Sequence, residues 1–326
     1  MLDRRLLGWG VFFILVGAIP LATRAGILDQ AVVGRWPSLW PLLLVAWGVG
    51  LLLRRTPLEW IGGALSVTVF GVMGGGALAA GFGGVAGMGG CGGDQGGREF
   101  AAQRGTFAAA GQLNVELNCG SLVLGTAEGS DWSVSGVEAN GRAPKVVTDG
   151  SAVSIESESG GSAFGSGGGE ARWTVVVPRA PELGLGLTLN AGEGSFELEG
   201  ANLASVNLTL NAGSARLDLA TTARLGDVNA TVNAGSATIA LPVGSRSANL
   251  SLNAGNLDVC LPAGTPLRVT WSGALGSNDL DDAGLVKVDD NTWTSPGFDA
   301  GQPHLELQVS ANAGSFGLEL GGACDA

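Results

Sequence analysis

The sequence has no tyrosine, a single histidine, three methionines and four cysteines in 326 residues, and charged side chains make up only 14% of it. One histidine, His304, leaves no material for a His-based catalytic site or a multi-His metal centre. Basic residues are outnumbered 17 to 29, giving a net charge of −12. A chain this acidic lacks the cationic surface that phosphate backbones require, so nucleic acid is excluded as a partner. Scarcity of charge does not imply disorder here, because apolar residues reach 45%. Asp and Glu occur throughout, but no spacing pairs two of them across a cleft as glycoside hydrolysis needs. The expectation is a protein that is not an enzyme, with no catalytic, cofactor-binding or metal-ligating residues and no cofactor.

What is present is unevenly distributed. Residues 1–90 carry six basic and three acidic side chains, whereas 91–326 carry eleven and twenty-six. Such asymmetry points to two environments. Leu6 to Thr23 and Trp36 to Leu53 are uncharged runs bordered by Arg5, Arg24, Arg35 and Arg54, and no charge falls between Glu59 and Asp94. A bilayer-crossing helix needs about 20 apolar residues, with a lower limit near 17. The runs predict a transmembrane module over 1–90, with spans at about 6–23, 37–53 and 60–82. Trp9, Trp36, Trp40, Trp47 and Trp60 suit its interfaces. Arg4, Arg5, Arg54 and Arg55 on one side against Arg24 and Arg35 on the other favour the first side as cytoplasmic. Three spans then place the rest of the chain outside. The expected location is the cell membrane, multi-pass, with the soluble module extracytoplasmic.

Residues 91–110 read as a glycine-rich linker and cap, and 111–322 as a repeat domain. The repeated unit is apolar-x-apolar-Asn-small-Gly. Its copies place Asn118 and Gly120, Asn190 and Gly192, Asn211 and Gly213, Asn233 and Gly235, Asn253 and Gly255, and Asn312 and Gly314 at matching positions. The four central asparagines lie 20–22 residues apart. Strict alternation, as in Leu183, Leu185, Leu187 and Leu189, marks strands with one buried face. The prediction is an all-β domain, a single-stranded parallel β-solenoid (β-helix) of about 20–22 residues per coil, with roughly ten coils. An antiparallel sandwich is the competing fold. Asn and Gly at the corner are expected to tolerate positive φ. The amides of Asn190, Asn211, Asn233 and Asn253 are expected to stack into a ladder. Asn312 lies 59 residues past Asn253, close to three periods, with Trp271-Ser272-Gly273 as a degenerate copy between them.

Two resemblances follow from these residues. Leu7-Gly8-Trp9-Gly10, Leu15-Val16-Gly17 and Trp36-Pro37 with Leu39-Trp40-Pro41-Leu42-Leu43-Leu44 resemble the LiaI/LiaF-type transmembrane region of bacteria. Leu210 to Leu219, "LNAGSARLDL", resembles the C-terminal β-solenoid of LiaF-like proteins and related adhesin-type domains. The resemblance implies a bacterial envelope protein that senses or regulates the cell-envelope stress response, its partner a membrane sensor kinase or an envelope component. It carries no catalytic residues. The alternative function is a structural or adhesin-like rod that self-assembles or binds a surface ligand. A homo-oligomer stays open in either case.

Three smaller features are weighed against plainer roles. Asn278 to Asp282 and Asp289 to Asn291 form a dense acidic patch, but the D-x-D-x-D-G spacing of a Ca²⁺ loop is absent, so a solvated turn is expected. Cys91, Cys119, Cys260 and Cys324 permit three pairings, and spacing selects none; Cys260 reads as outward-facing. Asn207-Leu208-Thr209, Asn229-Ala230-Thr231 and Asn249-Leu250-Ser251 match a glycosylation sequon but read as polar strand residues.

Overall fold

The computed structural model describes residues 97–138, 141–157 and 171–321. The chain divides into two units, Met1–Gly90 and Cys91–Ala326, and all described residues belong to the second. The expected spans at 6–23, 37–53 and 60–82 lie outside the described residues. Among the described residues no helix is long and apolar enough to cross a membrane.

The described residues are all-β. In chain order the strands are β1 (Arg98–Thr106), β2 (Gly111–Leu117), β3 (Gly120–Ala127), β4 (Asp131–Glu138), β5 (Lys145–Asp149), β6 (Ala152–Glu156), β7 (Ala171–Pro178), β8 (Glu182–Leu189), β9 (Gly192–Glu197), β10 (Asn202–Leu210), β11 (Gly213–Asp218), β12 (Arg224–Val232), β13 (Gly235–Ala240), β14 (Ser247–Leu252), β15 (Gly255–Leu261), β16 (Leu267–Asn278), β17 (Val286–Asp289), β18 (Thr292–Thr294) and β19 (Leu305–Leu320). Five copies of the repeat each contribute two strands joined at the Asn-small-Gly corner, and the copy at Asn312 runs through its corner as the single strand β19. β8, β10, β12 and β14 pair in parallel and in register, and so do β9, β11, β13 and β15. An antiparallel sandwich does not describe these pairings.

Parallel register stacks like on like. Leu113, Leu185, Val206, Val228, Ala248, Leu307 and Val269 form one buried column running through seven strands. On the facing sheet, Leu124, Phe196, Leu217, Ile239, Val259 and Leu318 form another. Each fully buried aliphatic side chain contributes about 1.5–3 kcal/mol of hydrophobic stabilisation, and no single rung could bury them alone.

The spatial order differs from the chain order at both ends. β2 and β3 lie between β6–β7 and β8–β9, because β2 pairs with both β6 and β8 and β3 with both β7 and β9. β19 lies between β14–β15 and β16. Eight rungs result: β6–β7, β2–β3, β8–β9, β10–β11, β12–β13, β14–β15, β19 and β16. At rung spacings near 4.8 Å the stack is about 35 Å long. This is shorter than ten coils, because part of the chain is spent on antiparallel strands. β1 pairs with β4, β4 with β7 and β5 with β6 at one end, and β18 with β16 and β17 at the other. The sheet is therefore of mixed orientation, not purely parallel. These strands cover edges that would otherwise template association. Leu280, Leu285 and Trp293, all buried, close the core at the β16 end.

The corner expectation needs a correction. Among the described residues only glycines have positive φ. The Asn of each corner keeps negative φ and donates its backbone N–H to the neighbouring rung, as Asn211 does to Leu189 O at 2.8 Å. Gly213 takes the left-handed value, φ +115, and a Cβ there would sit 1.9 Å from Gly192 O. The residue is glycine because both its conformation and the rung spacing demand it.

Candidate functional site: two polar ladders and an uncharged face

The corner asparagines are bonded side chain to side chain through six rungs. Asn190 donates to Asn118 Oδ1 at 2.8 Å, and Asn211, Asn233, Asn253 and Asn312 each donate to the preceding Asn at 2.6 Å. Trp271-Ser272-Gly273 does not lie between the last two copies. Trp271 pairs with Val309, so that segment sits one rung beyond Asn312, and Ala274 stands next to the ladder's end. The glycines at 120, 192, 213, 235, 255 and 314 form a parallel column, each with positive φ.

A second ladder lies on the outward side of the first sheet. Asn229 donates to Asn207 Oδ1 at 3.0 Å and Asn249 to Asn229 Oδ1 at 3.1 Å. These are the sequon asparagines, engaged with one another. Register extends their column through Gln308 to Thr270, and on the other side to Gly186. Two residues on, a hydroxyl column runs Thr188, Thr209, Thr231, Ser251, Ser310 and Ser272. Alternation puts both columns outside, since Leu208, Ala230, Leu250 and Val309 between them are buried. The result is a grid two columns wide and six rungs long without a charged side chain.

Charges border this grid instead of entering it. Glu116 continues the hydroxyl column at one end. Asp227 and Glu306 lie in the flanking column, Asp227 accepting from Ser247 Oγ and Glu306 pairing with Arg268 at 3.2 Å. His304 sits beside that pair. Its Nδ1 is 2.7 Å from Gln302 O and its Nε2 2.8 Å from Glu306 Oε1. Hydrogen bonding to the Gln302 carbonyl, then to Glu306, raises the His304 pKa above its ordinary value of 6.5. The outward side of the second sheet is more mixed, with Val123, Glu193, Arg216 and Asp258 among its serines.

The acidic patch serves its own turns. Asp279 Oδ1 accepts Leu318 N–H at 2.9 Å, Asp281 Oδ1 accepts the Trp293 indole N–H at 2.9 Å and Asp289 Oδ1 accepts Asn291 N–H at 2.9 Å. Among the described residues no group of three or more His, Cys, Asp or Glu has the geometry to hold a metal ion. Burial, then the neighbouring Asp279 and Glu319, raises the pKa of Asp258. Cys119 and Cys260 each belong to a disulfide, but not to one another, because four rung spacings separate the β2–β3 corner from β15. Cys260 is buried rather than outward-facing.

Sequence reasoning placed the corner residues but passed over the grid. The signal was available: the three sequons repeat with the same spacing as the corners, so in-register stacking had to align them.

No family model matches the chain, and no curated protein matches it. The LiaI/LiaF-type resemblance therefore gains no support from those comparisons. Two solved structures show similarity. One, described as a "putative cell adhesion protein" from Clostridium sporogenes, is 14% identical over 68% of this chain and 99% of that one, with a TM-score of 0.44. The other, described as a "putative adhesin" from Bacteroides fragilis, is 9% identical over 67% and 96%, with a TM-score of 0.24.

Proposed function

We propose that the chain is a membrane-tethered, non-enzymatic envelope protein of adhesin-like character, whose polar module is a parallel β-solenoid presenting one long binding face. The observation that carries this reading is the uncharged grid of six rungs. Its amides are already fixed by Asn207–Asn229–Asn249 bonding, so little side-chain entropy is lost when a ligand docks. Individually weak contacts repeated along one rigid body add as a multivalent set. The three apolar runs before residue 90 supply the tether, and their arginine bias favours export of the module. Two disulfides, one at Cys119 and one at Cys260, fit an oxidising compartment.

The test compares cells carrying the full chain with cells carrying a chain lacking residues 111–322. Protease added to intact cells is expected to cleave the module, and the deletion is expected to reduce attachment to surfaces. A module protected from external protease, with attachment unchanged by the deletion, overturns the reading. The motif Leu39-Trp40-Pro41-Leu42-Leu43-Leu44 favours a second reading, restraint of a membrane sensor kinase. Its mark is an altered envelope-stress response on deleting residues 1–90, with attachment intact.

A further inference from the structure

The grid has a period, no charged side chain and an unspent set of hydrogen-bonding groups, and together these select a ligand class. Along the stack the period is about 4.8 Å, and across the two columns about 6.5–7 Å. The middle amide, Asn229, spends one N–H on Asn207 and one lone pair on Asn249, and all three amides keep at least one N–H and one lone pair unspent in the ladder. The hydroxyls of Thr209, Thr231, Ser251 and Ser310 neither donate to nor accept from any side chain among the described residues. Asn229, Thr231, Asn249, Ser251, Gln308 and Ser310 line a shallow groove of about 370 Å³.

An apolar or purely hydrophobic partner would bury these groups unpaired, which is unfavourable for every one of them. A polyanion is repelled by a module that holds eleven basic against twenty-six acidic side chains. A polycation finds its partners at the flanking carboxylates, not on the grid. A neutral polyhydroxylated chain suits it, because vicinal hydroxyls both donate and accept. An extended β-linked chain of pyranose units advances by close to one rung spacing per sugar.

Resting on the adhesive reading above, we propose that this face binds a neutral, extended β-linked polysaccharide lying along the stack, one sugar per rung. The amide column meets one edge of successive sugars and the hydroxyl column the other.

The experiment uses the full chain in lipid nanodiscs, co-sedimented with insoluble cellulose and with chitin. Binding to at least one of them is expected. Thr209→Lys with Thr231→Lys, which buries charge beneath the ligand, is expected to weaken binding about tenfold or more. The near-isosteric pair Thr209→Val with Thr231→Val is expected to weaken it less, in the same direction. Ser214→Lys with Ser236→Lys, on the opposite sheet, is expected to leave binding within about twofold. Circular dichroism and melting of each variant check the fold. Sedimentation with neither polymer, or equal losses from both faces, overturns the proposal. Cell attachment that survives the Thr209 and Thr231 substitutions leaves the adhesive reading standing and removes this one. A module hidden from external protease removes the adhesive reading itself.

Discussion

Asn312 donates its side-chain N–H to Asn253 Oδ1 at 2.6 Å although 59 residues separate them. The spacing of three periods conceals an adjacency. The intervening chain leaves the stack after β15, forms the outer rung β16 with its β17–β18 hairpin, and returns as β19 into the gap. The opposite end of the stack is built the same way, with β2–β3 held between β6–β7 and β8–β9. At each end, then, the outermost rung is not the end of the repeat in sequence. Fraying of a terminal rung must also disturb a strand pinned on both sides, which couples the ends to the core. The cost is contact order: pairings across dozens of residues close slowly.

Within the ladder, position sets the penalty of a cut. Asn233 Nδ2 donates to Asn211 and its Oδ1 accepts from Asn253, so Asn233→Ala removes two bonds. Asn312 has one ladder bond, to Asn253, because Ala274 occupies the next rung. Urea unfolding is expected to show a loss of about 1–3 kcal/mol for Asn233→Ala and about half that for Asn312→Ala. Equal losses at the two positions would show that the amides act one by one, without the ladder.

The glycine column is less forgiving than the asparagine column. Gly213 combines φ +115 with a Cβ position 1.9 Å from Gly192 O, a backbone atom that cannot swing aside. Gly213→Ala is expected to cost about 3 kcal/mol or more, from strain at positive φ and from spreading two rungs. By contrast, Gly244 is a turn glycine with open space around it, and Gly244→Ala is expected to cost only the strain, about 1 kcal/mol. Thermal melts of the two variants side by side measure the difference.

The contrast also shows what the sequence could and could not convey. Asn190, Asn211, Asn233 and Asn253 recur at one spacing because each occupies the same corner, so the ladder was legible from period alone. The rung count was not. Period tells that copies stack, but not that Leu305–Leu320 re-enters below Leu267–Asn278. That choice depends on which strand edge remains open, a tertiary quantity with no local signature. β4 alternates buried Trp132 and Val134 with polar residues like the rungs, yet runs antiparallel to β1 and β7, because alternation fixes which face is buried and says nothing of direction. The outward grid was overlooked for a different reason. Polar residues in polar slots look unremarkable one strand at a time, and only register turns Asn207, Asn229 and Asn249 into a surface.

Asp258 is placed where its charge is unwelcome. Burial raises its pKa above 3.8, and Asp279 and Glu319 push the same way. Gly317 makes room for it, since a Cβ there would lie 2.3 Å from Asp258 Oδ1. The folded state therefore holds a proton at Asp258 over a range in which the unfolded chain has released it. Stability from this group is present below pH 3.8 and falls as pH rises through the raised folded value. Asp258→Asn keeps the shape and removes the charge. It is expected to raise the neutral-pH melting temperature modestly, by less than about 1 kcal/mol of added stability. A lower melting temperature at neutral pH would mean that the carboxylate is stabilising there.

His304 runs on the opposite sign. Its Nδ1 faces the Gln302 carbonyl and its Nε2 the Glu306 carboxylate, two acceptors that only the imidazolium can satisfy together. The Gln302 bond raises the pKa most, Glu306 adds to it, and Arg268 opposes from nearby. Because the folded pKa lies above 6.5, the stabilisation is full below pH 6.5 and is lost as pH rises through the folded value. As the chain has one histidine, a ring-proton NMR titration reports this site without assignment. The midpoint is expected above 6.5 in the wild type and lower in Glu306→Gln, while His304→Gln flattens the pH dependence of melting in that window. A wild-type midpoint at or below 6.5 would show that the ring stays neutral, with one acceptor unanswered.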